Sequence, residues 1–198
     1  MGVVIAIVVV AILVAVLVWY LLRQRQQAQE PDRLRAANRA RDLRASAQGL
    51  KLGDVVNFEG AELVVQGSIR YNQDGDVWAD HLLVDGTTKK WLSVEDDEGL
   101  EIAVWDKLVD PDMSPGEKRI LYGGHTYVLE EQGKADYAAE GTTGTAASGK
   151  YEYMDYESGD LRLSFERYGG DAAWELSTGR VIPEAALDIY PTDTPATA

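Results

Sequence analysis

Hydrophobic and polar positions change rhythm twice along this chain. Residues 3–22 are apolar throughout, with Val, Ile or Leu at fifteen of twenty positions and no charge. At about 1.5 Å per residue, a helix of that length crosses a roughly 30 Å hydrocarbon core. Residues 23–50 carry no apolar stripe: Leu34 and Leu43 fall on opposite sides of a helix. From Leu50 onward, short segments alternate apolar and polar with period two, broken by Gly and Asp.

The alternation predicts strands near Val55–Phe58, Ala61–Tyr71, Val77–Val84, Lys90–Val94 and Leu100–Trp105. After Asp110-Pro111 and Ser114-Pro115-Gly116 it resumes near Lys118–Tyr122, His125–Leu129, Lys150–Asp155, Leu161–Arg167 and Ala173–Leu176. The clearest hairpin is Lys89 to Trp105, in which Asp96-Asp97-Glu98-Gly99 turns the chain between two alternating arms. Glu140 to Gly149 is small, polar and unpatterned, and is expected to be a mobile loop. A short helix is expected after Pro183, and residues 191–198 read as a disordered tail.

The two halves of this region echo each other. Phe58-Glu59-Gly60, Leu63-Val64-Val65, Gly67 and Tyr71 find counterparts in Tyr122-Gly123-Gly124, Tyr127-Val128-Leu129, Gly133 and Tyr137. Trp91, Val94, Glu95, Gly99 and Trp105 are matched with Tyr151, Met154, Asp155, Gly159 and Phe165. The reading is an all-β head of two duplicated antiparallel β-meanders, packed as a sandwich or as paired small barrels. The expected divisions are an anchor at 1–22, a basic neck at 23–50, meanders at 51–110 and 111–190, and the tail.

Charge sharpens this division. Residues 1–51 hold eight Arg or Lys against three Asp or Glu, and the remainder holds eleven against thirty. The acidic head repels phosphate backbones, which argues against a nucleic-acid partner. The arginines that follow the apolar run, beginning with Arg23 and Arg25, orient the span with the head in the cytoplasm and the N-terminus outside. Trp19 and Tyr20 fall where aromatic side chains meet the membrane interface. A cleaved signal peptide fits less well, because the apolar run is long and its basic residues follow it. Anionic lipid attracts such a neck at roughly 1 kcal/mol per Arg. The absence of Cys excludes disulfides, thiolate zinc sites and Cys nucleophiles.

Motifs that carry chemistry are few. There is no P-loop, dinucleotide fingerprint, nucleophile elbow or zincin motif, and no cofactor or metal is expected. Glu95-Asp96-Asp97-Glu98 lacks the ligand spacing of an EF-hand loop and reads as a solvated turn. His81 follows Asp80, but neighbours in a strand point to opposite faces. The candidate ligand-binding residues are Trp78, His81, Trp91, Glu95, Asp97, Tyr151 and Tyr153. Tyr151, Tyr153, Tyr156 and Tyr168 are close enough in sequence to line a groove.

Trp78-Ala79-Asp80-His81-Leu82-Leu83, followed by Trp91-Leu92-Ser93-Val94-Glu95-Asp96-Asp97, resembles the bacterial family of domain of unknown function 4178 over about Leu52 to Tyr190. The resemblance implies an all-β domain, often in membrane-associated proteins. It also implies genes near small multi-span membrane proteins and polyamine aminopropyltransferase-like enzymes. It carries no catalytic residues. Three functions follow as expectations. The first is a tethered module that binds a membrane-protein partner or a cation such as a polyamine, which acidic charge and aromatic faces attract. The second is an enzyme using Asp80, His81 and the Glu95–Glu98 carboxylates. The third is an assembly subunit packing its span through Gly2, Ala6, Ala11 and Ala15.

Overall fold

The computed structural model describes residues 46–97, 99–109 and 113–192, all within one compact unit, Arg44–Ala198. The expected span, with Trp19 and Tyr20, and the basic neck up to residue 45, including Arg23 and Arg25, lie outside the described residues, as do 193–198 and Glu98. No helix among the described residues is long and apolar enough to cross a membrane.

The described residues form an all-β fold. A single 3₁₀ turn at Ala47–Gly49 leads into β1 (Val55–Phe58), β2 (Ala61–Gln73), β3 (Asp76–Asp85), β4 (Thr88–Asp96) and β5 (Leu100–Lys107). Then come β6 (Arg119–Tyr122), β7 (His125–Gly141), β8 (Ser148–Ser158), β9 (Leu161–Tyr168), β10 (Glu175–Val181), a 3₁₀ turn at Glu184–Ala186 and β11 (Asp188–Tyr190). All pairings are antiparallel, in the order β11-β1-β2-β3-β4-β5-β10-β9-β8-β7-β6. An additional pairing of β2 with β7 closes strands β2–β5 and β7–β10 into an eight-stranded barrel. Strands β11, β1 and β6 extend the sheet beyond it.

This closure replaces the expected sandwich or paired small barrels. The β2–β5 and β7–β10 segments join edge to edge, through β5 with β10 and β2 with β7, rather than stacking face to face. Closure satisfies strand edges that a sandwich would leave open. Laid over one another in strand order, the segments place the Trp91–Trp105 hairpin opposite β9–β10. The hairpin from Tyr151 to Phe165, its expected counterpart, is β8–β9.

Two bulges let single strands serve two environments. In β2 the register with β3 slips between Val65 and Gly67, so Val65 faces outward and Ile69 and Tyr71 face inward. In β7 the slip with β8 lies between Leu129 and Glu131, so Tyr127 packs outside while Ala135 and Tyr137 turn inside. An extra residue in one strand reverses which face its later side chains occupy. The expected loop at 140–149 is shorter than its composition implies, because β7 runs to Gly141 and β8 begins at Ser148. Thr142 N–H donates to Gln66 O at 2.8 Å and ties the turn onto β2. Gly67 permits that approach: a Cβ there would lie 2.3 Å from the Thr142 carbonyl oxygen. Within the expected tail, Thr192 N–H donates to Asp54 Oδ1 at 3.0 Å, so order extends at least that far.

Two apolar cores cover the barrel from outside. One joins Leu83, Leu92, Val94, Ile102 and Val104 to Val56, Phe58, Ile182 and Ile189. The other joins Tyr156, Leu163, Phe165 and Leu176 to Ile120 and Tyr127. The inward-facing side chains form a third, largely aromatic cluster.

Candidate functional site

Period-two alternation puts one set of side chains from every barrel strand into the lumen. The apolar set goes to the outer cores, so the lumen receives the polar and aromatic set. A cavity of about 790 Å³ lies there. From β3 it takes Trp78 and Asp80, from β4 Trp91, Ser93 and Glu95, and from the turn after β4 Asp97. Strand β5 adds Glu101 and Trp105, and β8 and β9 add Tyr151, Asp155, Ser164, Glu166 and Tyr168. The turns β3–β4, β7–β8 and β9–β10 lie at one end, with Lys89 and Lys107; the turn β4–β5, with Asp97 and Glu101, lies at the other.

Glycines help to shape the space. Trp105 stands opposite Gly179, Tyr153 opposite Gly133 and Tyr137 opposite Gly149 on paired strands. A Cβ at Gly179 would lie 2.5 Å from the Trp105 ring, and one at Gly133 would lie 2.8 Å from the Tyr153 ring. The missing side chains let these rings fold against the wall, a known way to cover glycine in a sheet.

The aromatic wall is continuous. Tyr71 and Trp78 stack at 5.0 Å, Tyr71 meets Tyr151 at 4.4 Å, and Trp78 meets Tyr153 edge-on at 5.8 Å. Their hydroxyls are aimed at acids. Tyr71 Oη donates to Asp80 Oδ2 at 2.8 Å and lies 2.7 Å from Tyr168 Oη. Tyr151 Oη donates to Glu166 Oε1 at 2.7 Å, and Tyr153 Oη to Glu131 Oε1 at 2.6 Å.

The electrostatics of these acids are unusual. Two of the cationic groups that line the lumen are paired with acids: Arg162 with Glu101 at 3.1 Å and Lys107 with Glu175 at 2.6 Å, while Lys89 stands at the exposed end. Asp80, Asp155 and Glu166 have no ion pair among those of the described residues. Burial pushes the Asp155 carboxyl up to about 8, although the Ser164 hydroxyl beside it favours the charge. Its Oδ1 is shut off from solvent with no hydrogen-bond partner. Burial, followed by the nearby Glu166, raises Asp80 well above the usual carboxylate range, and burial raises Glu166 in turn. An unpaired buried carboxylate is costly, so burial favours the protonated form of each of these groups, and Asp155 holds its proton at neutral pH.

Of the sequence-derived candidates, Trp78, Trp91, Glu95, Asp97 and Tyr151 line this cavity, and Tyr153 belongs to its aromatic wall. His81 does not join them. It alternates away from Asp80 to the outer side, is 2 % exposed, and lies 2.8 Å from Ser68 Oγ through Nδ1. Burial, with Arg70 nearby, holds its ring down to about 4, so it is neutral at physiological pH. That separates His81 from the carboxylates an Asp80–His81 enzyme would need. Tyr156 likewise faces outward, against Phe165 in an outer core. Sequence reasoning missed Asp155, Glu166 and Tyr71 as lumen groups. The signal was the run Tyr151, Tyr153, Asp155, in which rings and an acid share one parity. No group of His, Cys, Asp or Glu among the described residues is arranged to hold a metal ion.

Comparison with known proteins bears on the whole head. The uncharacterized protein Mb2628 of Mycobacterium bovis is 39% identical over 146 residues, covering 70% of each chain. The uncharacterized protein Rv2597 of Mycobacterium tuberculosis shows the same identity and coverage. No solved structure matches the chain. The family described as a domain of unknown function, DUF4178, matches residues 51–184, and the chain belongs to that family.

Proposed function

We propose that the barrel is a binding module whose lumen takes a small amine-bearing cation, a polyamine being the representative of that class. One observation carries this reading: three lumen carboxyls, Asp80, Asp155 and Glu166, stand among aromatic rings with no ion pair among the described residues. An ammonium ion would supply the missing charge, and the tyrosine and tryptophan faces attract cations by roughly 0.5–2 kcal/mol each. The volume suits a ligand of modest size. Titration calorimetry of the full-length protein in non-ionic detergent with spermidine tests it. Saturable heat that persists at about 0.15 M salt is expected, where diffuse surface attraction is largely screened. No heat, or heat abolished by that salt, overturns the reading.

The apolar run at 3–22 and the arginines after it support tethering this module to the cytoplasmic face of a membrane, beside a membrane-protein partner. Co-purification from native membranes is the measurement: a stoichiometric integral membrane protein is expected, and its reproducible absence counts against a partner. We read β1–β5 and β6–β10 as copies of one unit. The two bulges, each following the first few residues of the second strand in its set, support this. A profile self-comparison that finds no register between residues 55–107 and 119–181 counts against it.

A further inference from the structure

We propose that the lumen exchanges protons for its cation, so that each amine bound expels about one proton, with Asp155 as the principal group that gives it up. This rests on the lumen being an amine site and adds how that site is regulated. The argument begins from geometry. Asp155 sits on the β8 wall beside Ser164 and Glu166, with one oxygen buried and unpartnered. A charged carboxylate there would have the Ser164 hydroxyl beside it but no donor at Oδ1 and no counter-ion. Carrying a proton, it is neutral and tolerated. An incoming ammonium cannot pair with a neutral acid, so the exchange is written COOH plus R–NH₃⁺ giving COO⁻ paired with R–NH₃⁺ and a free proton. No bond changes other than the O–H.

Acids outnumber cations on the walls that surround Asp155. From β3 comes Asp80, from β4 Glu95, from the turn after it Asp97, from β5 Glu101, and from β7 Glu130 and Glu131. Strands β9 and β10 add Glu166 and Glu175, and the hydroxyls of Tyr71, Tyr151 and Tyr153 donate to Asp80, Glu166 and Glu131. The opposing charges are Arg162, tied to Glu101, Lys107, tied to Glu175, and Lys89 at the exposed end. Each negative neighbour strengthens the hold on the proton until a cation arrives. Asp155, Asp80 and Glu166 are all displaced upward, burial being the largest cause in each.

The test uses the full-length protein and 1,4-diaminobutane, whose groups stay charged over the range used. Affinity is measured between about pH 6 and about pH 7.5, in pairs of buffers of different ionisation heat. Affinity is expected to tighten by about tenfold per pH unit, with about one proton released per amine. Asp155→Asn, which mimics the neutral acid in shape, is expected to flatten that slope. If wild type binds the diamine with pH-independent affinity and releases no proton, the exchange is overturned while the amine site stands. If wild type shows the slope and Asp155→Asn keeps it unchanged, Asp155 is not the donor and the proposal falls as stated. If no diamine binds at any pH, the amine site and the exchange fall together.

Discussion

Acidifying the folded protein from about pH 8 to about pH 6 is expected to raise its melting temperature by about 5–10 °C, against the usual trend. The sign follows from linkage. Asp155 is held at about 8 in the fold, far above an ordinary aspartate. Between the unfolded and folded values the native chain binds a proton that the unfolded chain releases. Stability therefore falls as pH rises through that window, by about 1.4 kcal/mol per pH unit for one such group. Asp80 and Glu166 are displaced upward as well, so their contributions carry the same sign. His81 works in the opposite direction. Its ring is held at about 4, so the fold loses stability as pH falls from the ordinary histidine range towards 4. The gain is thus clearest above about pH 6.5, and the optimum lies on the acid side of neutrality. Thermal unfolding followed by circular dichroism across this range checks it. Asp155→Asn is expected to raise the melting temperature at pH 8 and to make the pH dependence shallower. A melting temperature that drops on acidification from pH 8 to 6.5 would falsify the protonated-lumen picture.

The two faces of β4 are expected to separate stability from binding. Leu92 is fully buried in the outer core, between the barrel wall and the β1–β11 flap. Leu92→Ala is expected to cost about 3 kcal/mol, from lost burial and the cavity left behind. Trp91, the next residue, points into the lumen, where it borders space that is already open. Trp91→Ala is expected to cost well under half as much in stability and to weaken amine binding by about tenfold, having removed a cation-facing ring. Urea unfolding of both variants, paired with amine titration, decides the matter. Equal stability losses, or a Trp91→Ala variant that binds as wild type, would show that the lumen face is merely core.

Much of the architecture is legible in the alternation of the sequence, because a barrel strand with one apolar face leaves a period-two trace. Strands at 55–58, 61–73, 76–85 and 100–107 fall where apolar and polar residues alternate. The long β7 is less visible because Glu130 and Glu131 interrupt its pattern at the bulge, where the strand crosses from the outer core to the lumen. The site is harder to read for a related reason. Alternation distinguishes the apolar face from the polar one, but not whether the polar face meets water or an enclosed lumen. Ser93, Glu95, Ser164 and Glu166 therefore look like a solvated surface until β2 meets β7. Trp78, Trp91 and Tyr151 stand out in the sequence as candidate ligand-binding rings, because large rings on a polar face are out of place on a wet one, but the sequence does not show that they share a lumen.

Both seams of the barrel join strands more than sixty residues apart, Tyr71 with Tyr137 and Trp105 with Gly179. Contacts of that separation form late, since the chain between them must first be brought together. Each hairpin can form locally as it leaves the ribosome, but the lumen has no walls on every side until the last barrel strand, β10, docks. Until then the acids of β3, β4 and β8 remain hydrated and ionised. Proton uptake by these groups thus marks completion of the fold, and a rapid-mixing experiment with a pH indicator would time that last step directly.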